Sequence, residues 1–150
     1  MRGAGYLMPH TEDELLEIEA FFSKDPECVP LARKLFTALF ARYPEAQLKI
    51  SKSQAALYEP GPFCMVWLPE HGGFKHRTPH CLALTFGLGE RLENSRIEQA
   101  VEPYPNRWTH HLLLHDSADL DEELFCWIDR SRAFKQECLR RRRKQPADKN

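Results

Sequence analysis

A chain of 150 residues, 42% hydrophobic and 29% charged, has the size and composition of a single globular domain rather than a disordered or membrane-embedded one. No apolar run approaches the ~20 residues that cross a bilayer, and Met1–His10 has no hydrophobic stretch of the secretory kind, so the sequence reads as soluble and cytoplasmic. The net charge of −1 conceals a division: residues 139–150 hold six basic side chains and one acidic one, leaving 15 and 21 for the rest, which argues against a broad nucleic-acid surface on the body.

Thr11-Glu12-Asp13-Glu14 has the form of a capping box, and Leu15, Ile18, Phe21 and Phe22 follow at helical spacing, predicting a helix over about 12–23. Asp25-Pro26 reads as an N-cap followed by proline at the first helical position. Leu31, Leu35, Phe36, Leu39 and Phe40 then form a second stripe, ending near Tyr43 because Pro44 disfavours helix before it.

Beyond Pro44 the pattern becomes extended. Strands are expected over 47–51, 55–58, 63–68 and 82–86, with Glu59-Pro60-Gly61-Pro62 as a turn and Pro69–Pro79 as a polar loop. Asn94–Val101 is expected to form a short helix, Trp108–Leu114 a strand, and Asp119 to about Cys138 a long helix. Strands grouped in sequence favour antiparallel pairing. The expected fold is therefore α+β: two layers, a mainly antiparallel sheet of about five strands, and helices on one face. It forms one domain over 1–138, with a basic, flexible tail over 139–150.

Five cysteines, Cys28, Cys64, Cys81, Cys126 and Cys138, make an odd set without CxxC spacing, so no disulfide framework is expected. Cys64, Cys81 and Cys126 sit in apolar runs, as buried reduced thiols do.

Three stretches carry a family resemblance: Ile50-Ser51-Lys52-Ser53-Gln54; Glu102-Pro103-Tyr104-Pro105 leading into Arg107-Trp108-Thr109-His110-His111-Leu112; and Leu120-Asp121-Glu122-Glu123-Leu124 with Trp127. Over about residues 20–135 the chain resembles an uncharacterised bacterial domain-of-unknown-function family, found as short stand-alone proteins and at the C-terminus of predicted transport proteins. The resemblance implies a fold and no assigned reaction.

His110 and His111 are strand neighbours and must face opposite ways, so they do not chelate one ion together. By parity His110 lies with Trp108, Leu112 and Leu114 on the core side, and Lys52 lies with Leu48 and Ile50 on the inward side. Lys52, Arg107, Trp108, His110 and His111 are the candidate ligand-binding residues, with lysine and arginine offering charge-assisted donors to a phosphate or carboxylate. The bland alternative is a satisfied core histidine and a lysine that reaches past the sheet edge to water.

His71, His76, His80 and Cys81 hold possible zinc donors, but without the tight paired spacing of structural sites, so no metal is assigned. No GxSxG, HExxH, phosphate-cradling glycine loop or dinucleotide fingerprint is present, and no cofactor is implied. The first functional reading is a non-catalytic binding or accessory module holding a small anion or a partner's acidic group. One alternative is an enzyme with His110 as general acid or base. The other is a nucleic-acid accessory protein that makes contact through the basic tail. A homodimer is allowed and not required.

Overall fold

The computed structural model describes residues 10–70 and 73–144. Helix α1 (Glu12–Phe22) starts at the expected capping box: the Thr11 hydroxyl accepts from the Glu14 N–H, and the Glu14 carboxylate accepts from the Thr11 N–H, each at 3.3 Å. Asp25 stands at the N-cap position of a short 3-10 turn (Pro26–Cys28) with Pro26 at its start; its carboxylate makes no capping hydrogen bond and meets His80 Nδ1 at 2.8 Å. Helix α2 (Val29–Arg42) follows and stops before Pro44, as its sequence requires.

Six strands then form one sheet: β1 (Gln47–Ile50), β2 (Ala55–Tyr58), β3 (Pro62–Trp67), β4 (Leu82–Leu88), β5 (Ile97–Tyr104) and β6 (Arg107–Leu114). Their order is β1-β2-β3-β4-β6-β5, and every neighbouring pair is antiparallel. Helix α3 (Glu122–Lys144) closes the fold.

The sixth strand corrects the helix expected over 94–101. Residues 97–104 instead pair with β6 through a tight turn at Pro105-Asn106, with Asn106 in the left-handed region at φ 62°. Without β5, the hydrogen-bonding edge of β6 would lie open. As an edge strand β5 accommodates Pro103, and its register slips between Val101 and Tyr104. Helix α3 also differs from expectation. Residues 117–119 form a separate 3-10 turn, and the helix runs on to Lys144 with Arg140 and Arg141 both paired to Glu137. The rest of the basic tail lies outside the described residues.

All three helices cover one face of the sheet. Ile18 and Phe22 of α1, Leu35, Phe36 and Leu39 of α2, and Leu124 and Ile128 of α3 join Leu57, Val66, Leu84, Phe86 and Leu112 in one buried cluster. Among the described residues the opposite face carries a small cluster, Cys81, Ala83 and Leu113, beneath Trp67 and Phe74. This is a two-layer α+β fold. Among the described residues no helix is long and apolar enough to cross a membrane.

One irregularity positions the site. The β3–β4 ladder pairs only Met65–Thr85, Val66–Leu84 and Trp67–Ala83, and continuing that register would set Phe63 opposite Gly87. There the sheet splits, and Ser131 of α3 fills the gap. Its hydroxyl donates to the Phe63 carbonyl at 2.8 Å and accepts from the Gly87 N–H at 3.0 Å. One side chain thus satisfies the two buried backbone groups that the broken ladder leaves, and it fastens α3 between two strands.

Candidate functional site

The sequence candidates do not gather at one place. Ser51 Oγ accepts from the N–H groups of Ser53 and Gln54, folding 51–54 into a tight turn that leaves Lys52 exposed at its tip rather than facing inward. Strands β3 and β4 separate that hairpin from β6, so Lys52 and His110 do not share a pocket.

The parity expected of His110 and His111 holds. His110 is 0% exposed and faces the helices, stacked on Phe86 with ring centroids 5.0 Å apart. Its Nε2 accepts from the Leu92 N–H at 2.8 Å, which assigns the proton of the neutral ring to Nδ1. Nδ1 is the one buried polar side-chain atom among the described residues without a hydrogen-bond partner. Burial lowers the His110 pKa, and the nearby Phe86 backbone only partly opposes this. With no exposed surface, His110 offers a substrate no direct approach.

His111 lies on the other face, half-buried, with burial again lowering its pKa. Trp67 Nε1–H donates to Thr85 Oγ1 at 2.9 Å, so the threonine hydroxyl is left to donate to His111 Nδ1 at 2.8 Å. This chain ties three strands together beneath the Phe74 ring.

Arg107 and Trp108 stand at the start of β6, beside the split in the sheet. Trp108 is half-buried, with the Arg91 guanidinium 5.9 Å above its ring. Arg107 turns to the C-terminal half of α3. Its guanidinium lies 5.7 Å from the centre of the Phe134 ring, and Nη1 is 2.7 Å from Cys138 Sγ. It borders an open cleft of ≈630 Å³, lined also by Gly89, Phe134, Arg130 and Arg141 and by the carboxylates Glu90 and Glu137.

Lys135 of α3 lies nearby, against β4. Its Cε and Nζ lie 3.5 and 3.6 Å from where a Cβ on Gly87 would stand. A side chain at residue 87 would compete for that space. Burial lowers the Lys135 pKa; Cys138 pulls it upward and Arg107 pushes it down again. Among the described residues neither Arg107 nor Lys135 has a carboxylate within 4.0 Å, whereas Arg141 is paired with Glu137 at 2.9 Å and Arg130 with Glu90 at 3.6 Å. Two cations without carboxylate partners therefore meet beside a thiol.

Sequence reasoning located Arg107 but missed Lys135 and Cys138. The signal was present: Leu124, Ile128, Ser131, Lys135 and Cys138 recur at helical spacing, so the stripe that begins apolar continues as polar groups.

The cysteines are free. Cys28 and Cys64 are buried, which pushes each thiol up to about 12. Cys126, expected inside, is exposed, because its place on α3 points it outward between the inward-facing Phe125 and Trp127. The histidine–cysteine cluster is dispersed: His76 Nδ1 meets Glu98 at 2.7 Å, His80 meets Asp25, and His71 lies outside the described residues. Among the described residues, no three histidine, cysteine, aspartate or glutamate side chains are placed to hold a metal ion.

A split antiparallel sheet under three helices, with an arginine- and glutamate-lined cleft beside the start of β6, defines an α+β domain. Residues 18–137 match the model of the domain of unknown function DUF5655, and the chain belongs to that family. No curated protein and no solved structure matches it.

Proposed function

We propose that this domain is a non-catalytic binding module that holds a small anion, or the acidic group of a partner, at the cleft between the start of β6 and the C-terminal half of α3. The observation that carries the reading is the pairing pattern: the cleft's other arginines, Arg130 and Arg141, are paired with Glu90 and Glu137 in the same lining, whereas among the described residues Arg107 has no carboxylate within 4.0 Å. Guanidinium groups favour carboxylates and phosphates because their paired N–H donors match two oxygens at once. Lys135, partly desolvated near Arg107 and Cys138, adds a second cation whose field is weakly screened. Relative to the residues first singled out, Arg107 stays in the site, and Lys52 and His110 leave it.

The test is thermal unfolding against phosphate, pyrophosphate, citrate and neutral controls, with Arg107→Ala and Lys52→Ala alongside the parent. A ligand at 100 times its dissociation constant stabilises by roughly 2.7 kcal/mol, which corresponds to roughly 5–10 °C for a chain of this size. The expected result is an anion-dependent shift that Arg107→Ala abolishes, Lys52→Ala leaves intact and added salt weakens. A flat panel, or a shift indifferent to Arg107, contradicts the reading.

A further inference from the structure

Cys138 is the one cysteine set among cations. Arg107 Nη1 stands 2.7 Å from its sulfur, Lys135 lies one helical turn earlier on α3, and the thiol is partly exposed. Cys126, on the same helix and exposed, is its opposite: its sulfur has the Glu122 carboxylate at 4.0 Å. Cys28, Cys64 and Cys81 are buried.

We propose that Cys138 is a modification site selective for anionic reagents, taking a small carboxylate-bearing disulfide into a mixed disulfide beside Arg107, which borders the cleft. The inference rests on the anion-binding reading and names the chemistry that would follow binding. Thiol–disulfide exchange begins with attack of sulfur on sulfur and expels a thiolate. Arg107 and Lys135 would hold the reagent's carboxylates close to Sγ and also stand beside the negative charge that passes from one sulfur to the next. The step balances without a further oxidant. The Cys138 sulfur forms a bond to one sulfur of the reagent and loses its proton to solvent. The reagent's own S–S bond breaks, and its departing half leaves as a thiolate with the electron pair. Cys138 is oxidised to the mixed disulfide as that half is reduced.

Cys126 supplies an internal reference. Cys126→Ser leaves Cys138 as the reactive thiol outside the core, and Cys138→Ser leaves Cys126. Each variant is treated with an aromatic disulfide bearing two carboxylates, 5,5′-dithiobis(2-nitrobenzoate), and with neutral 2,2′-dithiodipyridine. Rates follow from the absorbance of the released thione or thiolate, and the modified residue is identified by mass spectrometry. The quantity read is the ratio of anionic to neutral rate constants, which cancels differences in exposure.

That ratio is expected to be about tenfold higher for Cys138 than for Cys126, within the range of electrostatic rate enhancement at charged clefts. It should collapse toward the Cys126 value in Arg107→Gln and in 0.5 M salt. Equal ratios for the two cysteines, or a Cys138 ratio unchanged by Arg107→Gln, overturn the proposal. Phosphate-dependent thermal stabilisation of Cys138→Ser separates the two claims. If it persists while the ratios are equal, the anion site stands and the thiol chemistry falls. If it is absent as well, both fall.

Discussion

Replacing Ser131 with alanine removes the single hydroxyl that closes the split in the sheet. The Phe63 carbonyl then loses its donor at 2.8 Å and the Gly87 N–H its acceptor at 3.0 Å, both inside the protein. A buried backbone group left without a partner costs about 1–3 kcal/mol. Because one hydroxyl serves both groups and the strands relax a little around the smaller side chain, the combined loss should be about 2–4 kcal/mol. For a chain of this length that lowers the thermal midpoint by roughly 5–15 °C. Urea titrations of parent, Ser131→Ala and Ser131→Thr give the free energies directly, and an unchanged slope would confine the effect to stability. Threonine keeps the hydroxyl and should recover most of the loss. A cost below about 0.5 kcal/mol for alanine, typical of an unremarkable surface position, would show that the hydroxyl does not bridge the strands and refute the account of the split.

Burial lowers the pKa of His110 and of His111, so both are protonated more readily in the unfolded chain. Their stabilising contribution is therefore complete above about pH 6.5 and is lost as pH falls toward their lower folded values; urea midpoints from pH 7.5 to 5 should decline, less steeply in His110→Leu. Arg42 and Tyr43 both bond to Asp129 and hold its carboxyl below its ordinary value, a contribution present above about pH 4 and lost in acid. Asp129→Asn should cost about 1 kcal/mol at pH 7, discounted for exposure, and less at pH 2.5; an equal cost at both would deny the charge a role. A Cβ on Gly89 would stand 3.0 Å from the Phe134 ring beneath Arg107, so Gly89→Ala should weaken anion binding more than it lowers the melting temperature. Because His76 and His80 are tied to separate carboxylates, protein purified without a histidine tag should contain no stoichiometric zinc by elemental analysis.

Local chemistry made most of the architecture legible. The Thr11 box, the Pro44 stop and the alternation over 47–51 are decided by neighbouring residues, and the elements they imply formed within a residue or two. Residues 94–101 show the limit. Ile97–Val101 are compatible with a helix turn, but pairing with the edge of β6 outweighs that local preference, and such pairing cannot be seen within a short window. The site was harder for the same reason. Arg107 was visible from its motif, but its partners Lys135 and Cys138 lie about 30 residues away on a helix that packs on β3 and β4 and is reached from β6 by the long Arg107 side chain. Strand parity placed His110 on the core side correctly, yet it could not show that the ring would be sealed there.

The most direct test of the central claim is a phosphate titration of the isotopically labelled protein followed by amide chemical shifts. Saturable changes should gather at Gly87, Gly89, Arg107 and Trp108 and along residues 130–141, and they should fade in Arg107→Ala. Changes confined to the turn at Lys52, or none at phosphate concentrations that saturate the thermal shift, would contradict an anion site in the cleft between β6 and α3.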